Sequence, residues 1–94
     1  MEISNNNNVV SAEELKSKTV NELAYIVRKS WKPKIYFGAV PYLEAMSDMA
    51  SFEDAYGADS GRSIGMYFLS NATTYKGEQA RLVKAEIKRR LGIK

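Results

Sequence analysis

The chain of 94 residues contains no cysteine and no histidine. Without cysteine there is neither disulfide nor thiolate metal site, and without histidine the commonest metal ligand and the commonest general base near neutral pH are both missing. Long apolar runs are missing too: no stretch approaches the roughly 18 residues that a membrane-spanning helix requires, so no membrane association is expected. The first ten residues, ending Asn5-Asn6-Asn7-Asn8-Val9-Val10, carry neither the charged start nor the apolar stretch of a signal peptide. The expected location is therefore cytoplasmic, where the sequon Asn71-Ala72-Thr73 never meets a glycosylating enzyme. A chain this short encloses one modest core and leaves little room for a walled active site. No nucleophile and base present themselves as a pair, since the lysines fall on faces expected to be wet. These gaps point away from an enzyme, from any cofactor or metal, and from a small-molecule substrate.

What the chain does have is unevenly placed charge. The net value is +3, but residues 1–47 carry six Lys/Arg against five Asp/Glu, residues 48–75 one against four, and residues 76–94 seven against two. An acidic middle and a basic end suit an anionic partner, or the meeting of opposite faces within one chain or between copies.

Met1 to Val10 is polar and aperiodic and reads as a mobile tail, with a single helical domain over 11–94. Ser11-Ala12-Glu13-Glu14 and Thr19-Val20-Asn21-Glu22 both have capping-box spacing, so the first helix is expected to break near Ser17 to Thr19. Val20, Leu23, Val27 and Trp31 then share one helical face. Lys32-Pro33 ends that helix, Ile35-Tyr36-Phe37 is an extended connector, and a new helix starts near Gly38 to Val40 with Pro41 in its first turn. Leu43, Met46 and Ala50 form its buried side. Ser51-Phe52-Glu53-Asp54 reads as a capped helical turn closed by Gly57, and Asp59 or Ser60 caps a further helix to about Thr73. Gly61, Gly65 and Ala72 make a small-residue stripe that admits a close neighbour. The last helix is expected from near Thr74 to Leu91, capped by Gly92, with Ala80, Val83, Ile87 and Leu91 inward. The fold class that follows is all-α, a small irregular bundle of about five helices without sheet. Trp31, Leu43, Met46, Ile64, Phe68, Val83 and Ile87 belong at its centre.

Lys76, Arg81, Lys84, Lys88, Arg89 and Arg90, with Lys94 beyond them, form the candidate nucleic-acid-binding set, because phosphates attract such a row without base-specific contacts. Glu78 and Glu86 interrupt it, and cations in the last turn also offset the helix dipole. In a sharper version, residues 61–73 and 75–91 form a helix-turn-helix in which Lys76, Gln79 and Arg81 read a groove; Glu78 has the wrong sign for that role. Tyr42 and Tyr75, each at an expected helix start, are the candidate partner-binding residues, since a rigid ring buries much area at low entropic cost. The acids Asp48, Glu53, Asp54 and Asp59 do not make a calcium loop: a frame starting at Asp54 puts Tyr56 and Ala58 where oxygen ligands are needed.

Ala39-Val40-Pro41-Tyr42-Leu43-Glu44-Ala45-Met46, Asp59-Ser60-Gly61-Arg62-Ser63-Ile64, Tyr67-Phe68-Leu69-Ser70-Asn71-Ala72, Lys76-Gly77-Glu78 and Ala80-Arg81 carry a resemblance. Over about residues 35–91 the chain resembles small hypothetical proteins of phages, prophages and mobile elements of Gram-positive gut bacteria. That group has no established biochemical role, so the resemblance implies a cellular setting and transfers no site residue. The expected function is a non-enzymatic interaction module that binds a protein partner or itself through the charge-polarised helical surface. The alternative is nucleic-acid binding by the basic C-terminal helix.

Overall fold

The computed structural model describes residues 9–56 and 59–93. Its elements in chain order are α1 (Ala12–Leu15), α2 (Val20–Ser30), α3 (Val40–Met46) after a 3-10 turn at Phe37–Ala39, β1 (Ala55–Tyr56), β2 (Asp59–Ser60), α4 (Gly61–Ser70) and α5 (Glu78–Leu91). The fold is all-α. Among the described residues the one extended feature is the antiparallel pair β1–β2, in register Ala55 with Ser60 and Tyr56 with Asp59.

Local signals set most helix starts. The Ser11 hydroxyl accepts from the Glu14 amide at 3.2 Å and starts α1. At Thr19 the box closes in both directions: its hydroxyl accepts from the Glu22 amide, and the Glu22 carboxylate accepts from the Thr19 amide at 2.8 Å. That second bond, followed by the Thr19 hydroxyl, holds the Glu22 carboxyl below its ordinary value. The next amides of α2 are also satisfied, Val20 by the Ala50 carbonyl at 3.0 Å and Asn21 by that of Met49 at 2.9 Å. The loop after α3 is thereby fastened to the start of α2. Pro41 lies in the first turn of α3 as its missing amide permits, and Gly92 at φ +75° closes α5 with the left-handed turn expected of it.

Two stretches differ from expectation. Residues 51–54 turn without forming a helix, because the Asp54 carboxylate accepts from the amides of Ala50 and Ser51 and folds the chain back on itself. Met49 and Phe52 are buried there while Ala50 is exposed; the expected closure by Gly57 lies outside the described residues. The last helix starts at Glu78 instead of near Thr74, and α4 ends at Ser70, so Asn71 to Gly77 is a connector. Of the expected tail, residues 1–8 lie outside the described part. Its last member, Val10, packs against the core and pairs with Gln79, whose side-chain oxygen accepts from the Val10 amide at 2.7 Å and whose amide donates to the Val10 carbonyl at 3.0 Å.

The core gathers the stripes of all the helices. Val20, Leu23, Val27 and Trp31 of the α2 face meet Leu43 and Met46 of α3, Ile64 and Phe68 of α4, and Val83, Ile87 and Leu91 of α5. Fully burying one such aliphatic side chain is worth about 1.5–3 kcal/mol. The small-residue stripe has a direct cause. Gly61 donates its amide to the Asp54 carbonyl at 2.7 Å, and a Cβ added to it would lie 2.5 Å from the carbonyl oxygens of both Phe52 and Asp54. At Gly65 the added atom would meet the Phe52 ring at 2.8 Å and Leu91 at 3.2 Å. Backbone at Gly61 and a ring at Gly65 thus fill the space that a side chain would need.

Gly61→Ala is therefore expected to destabilise the fold by about 2 kcal/mol or more, since the obstacle is backbone that cannot swing aside. Gly65→Ala should cost less, because the ring can shift and alanine regains about 1 kcal/mol of helix preference. Urea denaturation of both variants checks the order; a Gly61→Ala protein as stable as the parent would contradict the close approach.

Candidate anion-binding face

α5 is amphipathic, with Ala80, Val83, Ile87 and Leu91 buried, and its next flank carries Arg81, Lys84 and Lys88 one turn apart. Lys76 joins this row through Gly77, which stands at φ +108°, a backbone conformation that other residues rarely adopt, and turns the chain into the helix. Lys76, Arg81, Lys84 and Lys88 line one shallow, open groove over Tyr75 and Ala80.

Lys84 is the half-buried member, its ammonium 5.7 Å from the centre of the Tyr75 ring. Burial lowers its pKa, and the neighbouring charges of Lys88 and Lys76 lower it further. The lysines thus sense one another across the groove. Among the described residues, no carboxylate pairs with any of these four cations. The ion pairs found are local: Lys16 with Glu13 and Lys18 with Glu14, both at 3.7 Å, and Arg89 and Arg90 with Glu86. Asp48, Glu53, Asp54 and Asp59 reach none of them.

Arg89 and Arg90, counted with the anion-binding set from sequence, both pair with Glu86. The Glu86 carboxylate, its side chain 4% exposed, accepts from Arg89 Nε at 3.0 Å and Nη2 at 2.7 Å, and from Arg90 Nε at 2.6 Å. Arg90 also donates to the carbonyls of Leu15 at 2.8 Å and Lys18 at 2.7 Å, capping the C-terminal end of α1. Arg89 keeps N–H donors to spare on a side chain 56% exposed, whereas Arg90, 18% exposed, is largely spent on the carboxylate and two carbonyls. Glu86, read from sequence as an interruption, is the residue that both arginines bind. Lys94 lies outside the described residues.

The tyrosines also fall differently from expectation. Tyr75 has no exposed surface and offers no contact to a partner. Its ring stacks on Trp31, centroids 5.0 Å apart and planes 22° from parallel, and its hydroxyl meets Ser30 Oγ at 2.6 Å. The Ser30 proton is used on the Ile26 carbonyl at 2.7 Å, so Tyr75 is the donor in that pair. Burial pushes the Tyr75 phenol up. Tyr42 is half-buried and packs against Tyr67, with centroids 5.5 Å apart.

The Tyr75 joint brings the end of α2 beside the start of α5, and with it residues that the segment count passed over. Between Leu23 and Leu43 the chain holds Arg28, Lys29, Lys32 and Lys34 and no acid; all four are exposed. Averaging them with the acids of α1 concealed them, and a shorter counting window would have found them. The helix-turn-helix version does not hold. Its connector runs from Asn71 to Gly77, longer than the three or four residues of such turns, and Gln79 is occupied by Val10.

Among the described residues, no three His, Cys, Asp or Glu side chains gather as a metal site, and no helix is long and apolar enough to cross a membrane. No family model matches the chain, and neither a curated protein nor a solved structure does. The groove sets four cations over a shallow floor.

The Arg89 hydrogen bonds, then those of Arg90, hold the Glu86 carboxyl below its ordinary value against the upward push of burial. A lowered folded value means that the unfolded chain takes up the proton first, so this stability is present above the ordinary carboxylate range and is lost as pH falls through the folded value. Glu86→Gln is expected to cost about 1–3 kcal/mol at pH 7, and its gap from the parent should narrow below about pH 4. Denaturant titrations at pH 7 and pH 3 check this; an equal gap at both would show that the carboxylate's charge is immaterial.

Proposed function

We propose that the protein is a non-enzymatic interaction module that docks an anionic macromolecule along the groove of Lys76, Arg81, Lys84 and Lys88. The observation that carries this reading is the gathering of four cations on one open face without a described counter-charge, while the two neighbouring arginines share the Glu86 carboxylate. Holding like charges together costs free energy, which a polyanion relieves while releasing its own counterions. The shallow floor supports docking over catalysis, since catalytic sites enclose most of a bound ligand. A setting on a mobile element rests on the resemblance alone.

The same polarity supports a second reading, self-association. Asp48, Glu53, Asp54 and Asp59 pair with no cation among the described residues, so a second copy would bring anionic groups to the groove.

Chromatography on heparin, a generic polyanion, tests the docking reading. The parent is expected to be retained at low salt and released as salt rises, and the Lys84→Gln/Lys88→Gln double variant to elute earlier. Light scattering on the eluted protein separates the two sources of charge. A monomer at low salt assigns the groove to a foreign polyanion, and a larger mass that salt dissolves assigns it to a second copy. No retention combined with a strict monomer overturns the proposal.

A further inference from the structure

Four segments converge at one end of the bundle. α2 ends at Ser30, hydrogen-bonded to Tyr75, and Trp31 stacks on the same ring. Gly38, just ahead of α3, lies so near the end of α4 that a Cβ on it would sit 2.9 Å from Asn71 Oδ1. Lys76 then leads into α5. This end carries Lys29, Lys32, Lys34 and Lys76, all exposed, against the exposed acids Glu44 and Glu78. The connector that holds Lys32 and Lys34 also carries two rings facing water: Tyr36 is 42% exposed and Phe37 79%, with centroids 4.9 Å apart. One exposed apolar residue requires no explanation, whereas two touching rings in a lysine-bearing connector form a surface of definite chemistry.

On the docking reading above, we propose that this end is a stacking platform for single-stranded nucleic acid, with bases on Phe37 and Tyr36 and phosphates over Lys32, Lys34 and Lys76 into the α5 groove. Aromatic faces accept any base and a cationic track follows the backbone, the pairing that binds single strands without sequence preference. From the start of α5 to Lys88 the track runs about 15 Å along the helix, with Lys76 just ahead of it, room for several phosphates. Its composition separates this ligand from an acidic protein. Protein interfaces are enriched in arginine and depleted in lysine, and here two C-terminal arginines are withdrawn onto Glu86 while the open cations are mostly lysine. Lysine meets phosphate as a point charge and has no planar fork to match a carboxylate.

Fluorescence anisotropy with a labelled oligo-dT strand, a mixed-sequence duplex of equal length and labelled poly-glutamate tests the platform. Phe37→Ala is expected to weaken strand binding roughly five- to a hundredfold and to leave duplex binding unchanged, while Phe37→Trp restores the strand. Lys84→Gln/Lys88→Gln should weaken strand and duplex alike and flatten the salt dependence. Parent-like strand binding by Phe37→Ala, beside a weakened lysine variant, overturns the platform and leaves the docking groove standing. Tighter binding of poly-glutamate than of oligo-dT overturns it in favour of an acidic protein. Absence of binding to every probe, heparin included, overturns both.

Discussion

The Glu86 carboxylate, nearly sealed from water, decides what the rest of the surface can do. A buried anion must be compensated, and Glu86 is compensated by Arg89 from one side and Arg90 from the other. Arg90 in turn reaches the open carbonyls at the end of α1, so one anion fixes the last turns of α5 and holds the N-terminal helix against them. The same interaction sorts the cations of α5 into two populations. Those at its C-terminal end are part of the architecture, and those along its flank are left to solvent or to whatever docks there.

A second constraint works at the opposite end of that helix. Tyr75 is held by Trp31 on its face and Ser30 at its hydroxyl, and Phe68 meets the same Trp31 edge-on with centroids 6.3 Å apart. This buried aromatic joint locks α2, α4 and the approach to α5 together, so cations more than forty positions apart in the chain come to the same end of the bundle. Charge polarity in this fold is a product of packing as much as of composition.

What could be read from the sequence was what is decided locally. The box at Thr19 and Glu22, Pro41 in a first turn, Gly92 as a left-handed cap and the inward faces of α2 and α5 each involve residues within a turn or two of one another. The turn at 51–54 was missed because Asp54, placed like a helix-capping acid, instead receives the amides of Ala50 and Ser51 behind it. The start of α5 was misplaced because Gly77 has no side chain to announce a cap. Part of the candidate site was legible: Arg81, Lys84 and Lys88 follow from helical spacing, and Lys76 from its place just ahead of them. The commitment of Arg89 and Arg90, the burial of Tyr75 and the arrival of Lys29 to Lys34 at the same end are tertiary facts, set by partners that no periodicity names.

The pairing of Val10 with Gln79 has a bearing on how this domain can be joined to others. A side-chain amide that both donates to and accepts from one backbone residue imitates the pairing of a strand, and it clips the incoming chain to the first turn of α5. The chain consequently enters the fold on the Gln79 flank of α5, with the buried stripe between it and the row of Arg81, Lys84 and Lys88. A partner domain joined at that point approaches from the far flank of the helix and leaves the row uncovered, whatever the charge of its linker.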